Sequence, residues 1–386
     1  MKETNADTLV IGAGPAGLMA ALEASQRGDV IIIEKEDSPG KKLLLTGGGR
    51  CNVSNRSSLD DYLEHIPRGA NFLRSAFSQF FHEDLVCLFG KELPLITEDD
   101  RLYPRSQKAH DVLEFFLRKL SNTEISTDTK VTSLQKVADR WIIKSTRGTF
   151  SAKKVIVSSG GRSLPHTGSD GSMFRILSNL GVEITPINPA LVSMFMEKPW
   201  KELAGLTCPD VVINSQNTSL RGSLLFTHKG VSGPVVLDMS SLVERFFPMS
   251  LTIDFVPDKA EKDVMEYLFS SKQSLASRAR AFVPERLARH LFPQTNDKHQ
   301  WNKERRQSAA RKLKALEVSI RSFAGFESAI VTRGGIALPQ LDPSTLEHKT
   351  LKGLYFAGEC LDVDALSGGY NLQIAWSTGF LSGQLK

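Results

Sequence analysis

The stretch Thr8-Leu9-Val10-Ile11-Gly12-Ala13-Gly14-Pro15-Ala16-Gly17 constrains this chain more than any other. An apolar run of strand length meets a G-x-G-x-x-G turn. Leu18, Met19, Ala20, Leu22 and Ala24 then follow at helical spacing up to Gly28. A second apolar run, Val30 to Ile33, ends at Glu34. Strand, glycine turn, helix, strand and an acid about 20 residues beyond the glycines form the fingerprint of a dinucleotide site. Gly12 permits the tight turn, Gly14 lets backbone approach a diphosphate, and Gly17 lets helix and strand come close. Ala13, Pro15 and Ala16 lie at a helix N-terminus, whose unpaired N–H groups and dipole favour an anion. Glu34, followed by Lys35, can accept from the hydroxyls of an adenosine ribose and disfavours a 2′-phosphate there.

A chain of 386 residues exceeds one ordinary core, so two or three domains are expected. Its 41% hydrophobic and 24% charged residues suit a globular protein. No apolar run approaches the ~20 residues of a membrane span. The polar start Met1–Asp7 leads straight into a strand, which predicts no signal peptide and a cytoplasmic protein. Cys51, Cys87, Cys208 and Cys360 form no C-x-x-C pair, which argues against structural zinc and a dithiol centre and predicts no metal site. The net charge of +5 is uneven: Pro257–Ser322 holds 15 Lys and Arg against 8 Asp and Glu, leaving the rest of the chain at minus two.

After Glu34 come Lys41 and Lys42 and then Thr46-Gly47-Gly48-Gly49-Arg50-Cys51-Asn52, a loop able to turn several N–H groups inward, with cations to meet phosphate charge. Residues 70–90 read as helical, and Ser106 as the cap of a further helix. Hairpin patterns run from Glu124 to Phe150. The buried strand Lys154–Val157 runs into Ser158-Ser159-Gly160-Gly161-Arg162, the strand end at which open α/β sheets bind ligands. The glycine-rich surface continues through Thr167–Gly171 to a helix at about 172–180. Residues 190–256 read as β-rich, with strands expected around Leu191–Met196, Val211–Ile213, Leu224–Phe226, Val235–Leu237 and Leu251–Phe255. Residues 257–322 read as helical, basic and nearly free of strand. Gly353–Glu359 is a last buried strand, and a helix from about Asn371 to Leu385 ends the chain.

These motifs carry a family likeness. The opening turn, the Thr46–Asn52 loop and Tyr355-Phe356-Ala357-Gly358-Glu359 resemble FAD-binding flavoproteins of the two-domain Rossmann class. More narrowly, the chain is similar to the bacterial NAD(P)/FAD-dependent oxidoreductases called YhiN-like, BaiN-like or aminoacetone-oxidase-family. Arg101–Pro104, Pro189–Val192, Leu225–Pro234 and the tail Leu361–Asp364 with Gly368–Gln373 carry that likeness along the whole chain. Ala365 where Gly is expected, Ser367 for Thr, and bulky Met173 depart from the pattern. The resemblance implies an α/β fold: a Rossmann-type FAD-binding domain from both chain ends (1–188 and 327–386), a β-barrel-like insert (189–256 and 323–338) and a nested basic helical insert (257–322). It implies one non-covalent FAD, with the diphosphate on Gly12–Gly17 and the ribose on Glu34. The flavin half would lie along Thr46–Asn52, and backbone near Val131 would meet the adenine. Gly358, Glu359 and Asp362 would hold the ribityl–phosphate region, with Gly369, Tyr370, Asn371 and Leu372 at the ring.

Only one complete fingerprint is present, so NAD(P)H as electron donor would bind transiently over the flavin, or the flavin is reduced some other way. The helix after Gly368-Gly369 can direct its first N–H groups at the flavin and stabilise the reduced ring, which favours hydride transfer. His228 is a candidate proton donor and Arg333 a candidate contact for a carboxylate or enolate. The leading expectation is an oxidoreductase acting on a small or medium organic substrate. A competing one is an RNA-modifying flavoenzyme gripping phosphate with Lys298, Lys303, Arg305, Arg306, Arg311, Lys312 and Lys314, and stacking on Trp301, although a solvated helical face also explains such a run. A third is a non-catalytic FAD-binding protein.

Overall fold

The structure, a computed structural model, describes residues 3–293 and 301–385. The chain divides into two compact units, Met1–Pro189 with Phe326–Lys386, and Ala190–Gly325.

The first unit is built on a seven-stranded sheet. Its parallel strands lie in the order Glu124–Ser126, Val30–Ile33, Glu3–Ile11, Thr149–Val157 and Leu354–Phe356. Val30–Ile33 is buried along its whole length, as a β-branched strand covered on both faces must be. The first half of Thr149–Val157 pairs antiparallel with Arg140–Ser145, which pairs with Val131–Val137. Register sets Ile11 beside Ile33 and Val157, and Val157 beside Phe356. Gly12, Glu34, Ser158 and Ala357 therefore leave the sheet along one edge. From the opening strand the chain crosses first to one side and later to the other, and such a reversal leaves a crevice at the carboxyl ends of the strands.

The two chain ends join through small residues. Helix Pro15–Ala24 follows the glycine turn, and helix Tyr370–Gly383 lies against it. A Cβ added to Gly379 would stand 2.4 Å from the Ala16 carbonyl oxygen, and one on Gly383 2.6 Å from that of Ala20. Four-residue spacing on both helices puts these residues on one face of each, so the backbones meet without intervening side chains. Almost every side chain from Gln373 to Gly383 is buried. Trp376 donates to the Val53 carbonyl at 3.0 Å and stacks on Phe116.

Several expectations need correction. Residues 70–90 are a short 3-10 turn and two helices, Arg74–Gln79 and His82–Phe89, broken at Phe80, whose carbonyl accepts from the Ser377 hydroxyl. Ser106 does not cap its helix, which begins at Ala109 after Lys108. In the second unit a closed barrel runs through Met194–Met196, Gly230–Ser232, Thr218–Thr227, Thr207–Ser215, Met249–Asp254 and Leu316–Phe323. Val235–Leu237, expected in a strand, lies in helix Pro234–Leu242, where Pro234 suits the first turn and Gly233 sits at φ 93°. Leu316–Phe323, expected to be helical, is the strand that closes the barrel; Val318 and Ile320 alternate inward between exposed Glu317, Ser319 and Arg321. The helices within Glu261–Lys314 bury one core with the barrel, Val264, Leu268 and Leu313 meeting Leu251 and Ile253 in the same cluster.

Gly379→Ala and Gly383→Ala should each destabilise the chain by about 1–3 kcal/mol, the cost of overpacking a close contact. Gly325→Ala, with nothing within 4 Å of the added carbon, should stay within about 0.5 kcal/mol. Urea midpoints for the three variants check this, and equal midpoints would remove the close crossing.

Candidate functional site

The edge shared by the parallel strands opens into a cleft with about 1420 Å³ of space free of protein atoms, part of it open to solvent. Its floor is the glycine turn. Gly12 adopts φ 103°, and a Cβ there would lie 2.6 Å from the Ser158 carbonyl oxygen; one on Gly17 would lie 1.9 Å from the Gly12 oxygen. Those two glycines answer to the protein itself. Gly14 does not: its φ is −80°, ordinary for any residue, and no atom lies within 4 Å of the position its Cβ would take. It faces the cleft with Pro15 and Ala16, so its missing side chain leaves room for something the chain does not supply.

Glu34 stands at one end of the cleft. One carboxylate oxygen accepts from the Ala13 amide at 2.8 Å and the other from the Glu36 amide at 2.9 Å. Burial pushes this carboxyl above the usual range, against the pull of the Glu36 and Ala13 amides. Lys35 beside it forms an ion pair with Asp170 at 2.7 Å. Burial would raise the Asp170 carboxyl, but hydrogen bonds from Lys35 and Ser172 outweigh it and hold the group at about 2. Val131 lines the same wall, along with Thr129 and Lys130.

Ser159, Gly160 and Gly161 form the next part of the wall, facing Thr167–Met173. Ser169 there has a buried hydroxyl with no partner among the described residues. Farther along stand Lys42, Thr46, Gly358, Glu359, Asn371 and Leu372. Asn371 uses its amide to hold Ala365 and Leu366, fixing the loop before the last helix. That helix starts at Tyr370 after Gly369, which has no side chain to cap its first N–H groups; Leu372, Ile374 and Ala375 also line the cleft. Tyr370 itself stacks on His65 at 4.5 Å and meets Tyr62 edge-on.

Other expected contacts are engaged elsewhere. Lys41, at the cleft wall, forms ion pairs with Glu36 at 2.7 Å and Asp37 at 2.9 Å. Arg50 is bound to Glu98 and Gln107 and lies over the Tyr103 ring, so its charge is met away from the lining residues. Gly47, Gly48 and Gly49 take left-handed φ of 56°, 65° and 89°, as their run predicts. Cys51 is buried and its thiol is pushed up to about 12 by that burial, which leaves it uncharged and unreactive. Asn52 Oδ1 is buried without a partner, 2.7 Å from where a Gly369 Cβ would stand. Asp362 does not line the cleft, whereas its neighbour Val363 does. Gly334 and Gly335 press on the Pro186 and Cys360 carbonyls, so they serve packing.

The two candidate catalytic residues lie in different units. His228 is exposed in the two-residue turn between barrel strands Thr218–Thr227 and Gly230–Ser232. Arg333 ends strand Val331–Arg333 of the first unit and acts electrostatically on buried Asp364, which Arg68 grips with two hydrogen bonds. Sequence reasoning missed Ile330 and Val331, cleft residues just beyond the return from the second unit; no motif surrounds them.

A model of the family described as the HI0933-like protein Rossmann domain matches residues 6–385. The chain belongs to this family. It is 31% identical over 409 aligned residues to the 3-dehydro-bile acid delta(4,6)-reductase of Clostridium scindens, with 97% of each chain covered. It is 30% identical over 404 residues to the ribosomal RNA dihydrouridine synthase of Escherichia coli, covering 98% of this chain and 97% of that one. Among solved structures, the 3-ketosteroid-delta4-(5alpha)-dehydrogenase of Rhodococcus jostii shares the fold, with a TM-score of 0.52 at 13% identity over 98% of this chain and 97% of that one.

As a member of the HI0933-like family, the chain is a flavin-dependent oxidoreductase whose cofactor is FAD. The cleft fits that group: Gly14 leaves space over the turn, Glu34 is held by amides at one end, and the Ser169 hydroxyl and Asn52 Oδ1 are buried polar atoms with no partner among the described residues. Among the described residues no group of His, Cys, Asp and Glu is placed to hold a metal, and no helix is long and apolar enough to cross a membrane.

Gly14→Ala should leave the fold intact and weaken FAD binding at least about tenfold, or about 1.4 kcal/mol. Gly17→Ala, whose Cβ would collide with the Gly12 oxygen, should lower thermal stability even without cofactor. Fluorescence titration of the apoprotein with FAD, alongside thermal melts, separates the two effects. Wild-type FAD affinity in Gly14→Ala would mean that the cofactor lies elsewhere.

Proposed function

We propose that this protein adds hydrogen across a carbon–carbon double bond conjugated to a carbonyl, in a small or medium organic substrate. The observation that carries the reading is the last helix, whose first-turn residues Asn371 and Leu372 line the cofactor cleft and whose first N–H groups Gly369 has no side chain to cap. Such a helix end favours negative charge, and a hydride donor bears that charge before it reacts. FAD, when bound and reduced by two electrons, would supply the hydride. The chain's residues hold the cofactor with Gly12–Gly17 and Glu34 and set the helix end beside it through Asn371. The names of the relatives support the reading, since one is called a delta(4,6)-reductase and another a dihydrouridine synthase, both words for reduction of a double bond. Arg333 would steady the developing enolate. NAD(P)H is the proposed donor; with a single fingerprint in the chain, it would bind transiently.

The Escherichia coli relative named for ribosomal RNA favours a second reading, in which the substrate is a base in an RNA. The basic segment supports it less than the sequence suggests. Lys314 pairs with Asp254 at 2.7 Å, Arg311 with Glu261 at 3.5 Å, and Lys312 and Arg306 bond to the Leu291 and Trp301 carbonyls. Trp301 packs against the hydrophobic core, so it is no free stacking platform. Lys303 and Arg305 are exposed, and Lys298 lies outside the described residues.

Purified protein should absorb near about 450 nm and bleach anaerobically with NADH or NADPH. An α,β-unsaturated ketone should then restore the colour, whereas its saturated analogue should not. Restoration only by unmodified ribosomal RNA would select the second reading, and bleached flavin that no conjugated carbonyl compound reoxidises would overturn the proposal.

A further inference from the structure

The second unit holds a cavity of its own, none of whose lining residues borders the cofactor cleft. It has about 680 Å³ of space free of protein atoms, part of it open to solvent. It forms where two barrel strands part. Strands Thr207–Ser215 and Met249–Asp254 pair through Val212–Asn214 and Thr252–Asp254. Beyond that ladder the first strand bulges between Cys208 and Val211. On the other side the Phe255 amide donates to the Leu313 carbonyl and the Val256 amide to the Asp254 carboxylate, each at 2.8 Å. The amides that could have continued the ladder are thus used elsewhere, and residues 281–284 of the helical segment line the gap.

The opening is held at a fixed width. Arg221, on the neighbouring strand Thr218–Thr227, donates to both oxygens of Asp210 at 2.8 and 2.7 Å and to Asp258 at 2.9 Å. Asp210 stands on one side of the gap and Asp258 on the other, so one planar guanidinium ties the two sides together. The Lys314 ammonium steadies the second side, bonding the Val256 carbonyl at 2.6 Å and the Asp254 carboxylate at 2.7 Å. Pro209, Pro257 and Pro284 stiffen the backbone around the cavity. Close-packed interiors leave few voids of this size, and braced walls do not close by repacking. Preformed, mostly apolar concavities are what small ligands occupy.

The lining sets the chemistry of the occupant. Phe255, Val256 and Val283 are buried side chains of its wall, and Phe282 is partly buried. Burial pushes the Cys208 thiol up to about 12, so the wall is uncharged there too. The charges around the opening balance, Asp210 and Asp258 against Arg221 and Lys259. A charged ligand would lose its hydration with no net opposite charge to receive it. We propose that this cavity binds an uncharged hydrophobic small molecule, an aromatic ring or short hydrocarbon without an ionisable group. The inference rests neither on FAD in the cleft nor on the reaction proposed above.

Calorimetric titration of the FAD-loaded protein with indole tests it. Wild type should show saturable binding with a Kd of about 1 mM or tighter. Ala281→Trp places a large ring at an exposed position of the lining, and should weaken indole binding at least about tenfold while leaving the melting temperature unchanged. Arg221→Met, which unties the two sides of the opening, should weaken it as well, and serves where Trp at 281 disturbs the fold. Benzoate and benzylamine, each a ring with one charge, should bind at least about tenfold more weakly than indole. No saturable binding to wild type would overturn the proposal. Indole bound with wild-type affinity by both variants would place it outside the cavity, and charged rings bound as tightly as indole would refute the ligand class; either overturns the proposal too.

Discussion

The cofactor cleft depends on a contact made without side chains: Gly379 and Gly383 against Ala16 and Ala20. A helix closing the chain far from its partner in sequence needs a strong geometric reason to end in one place. Bare backbones supply it, since a contact this close tolerates no added carbon and fixes both separation and rotation. With that crossing set, the first turn of the last helix and the first turn of the opening helix both reach the cleft. The buried bond from the Gly358 amide to Thr378, a residue of the last helix, then places the end of strand Leu354–Phe356 on the same frame. The cleft is built from both ends of the chain because the crossing is.

Charge around the cleft follows a second constraint. A site for a diphosphate invites cations, yet nearly every cation expected there is matched by a carboxylate: Lys35 by Asp170, Lys41 by Glu36 and Asp37, Lys42 by Glu359 and Arg50 by Glu98. Unpaired cations crowded at one cleft would repel one another before any ligand arrived. Matched pairs leave the anion to backbone N–H groups and a helix dipole, which are fixed in place and require no reorganisation. Glu34 follows the same logic with the sign reversed: a buried carboxylate held by the Ala13 and Glu36 amides is fixed in place at the cleft before any ligand arrives.

What was legible in the sequence was what local chemistry dictates. The glycine turn, the acid at the end of the second strand, the left-handed glycines at 47–49 and the last helix each have a reason within a few residues, and each stands where the pattern put it. Arg50 beside Gly49 looked like a phosphate contact, but Glu98 and Tyr103 that claim it arrive from far along the chain. Val235–Leu237 carried a strand-like apolar run, and Pro234 at the first helical turn outweighed it. Leu316–Phe323 did alternate polar and apolar residues, but the surrounding basic, helix-rich composition obscured a period visible over only eight residues. Ile330 and Val331 had no signal at all, because their place in the cleft is set by where the return strand lies rather than by their neighbours in sequence.

Relatives about 30% identical along nearly their whole lengths bear names for a bile acid and for a ribosomal RNA. Shared ancestry at that level carries the fold and the cofactor, because those rest on contacts such as Gly17 on Gly12 and Gly379 on Ala16 that admit no substitution without backbone movement. A substrate contact is under no such restriction. An exposed side chain such as His228, in a two-residue turn, or Ile330, 46% exposed at the cleft, can change size or charge at little cost to the fold, because surface replacements seldom move stability by more than about 0.5 kcal/mol. The residues that identify the cofactor most firmly are, for the same physical reason, the ones that say least about the substrate.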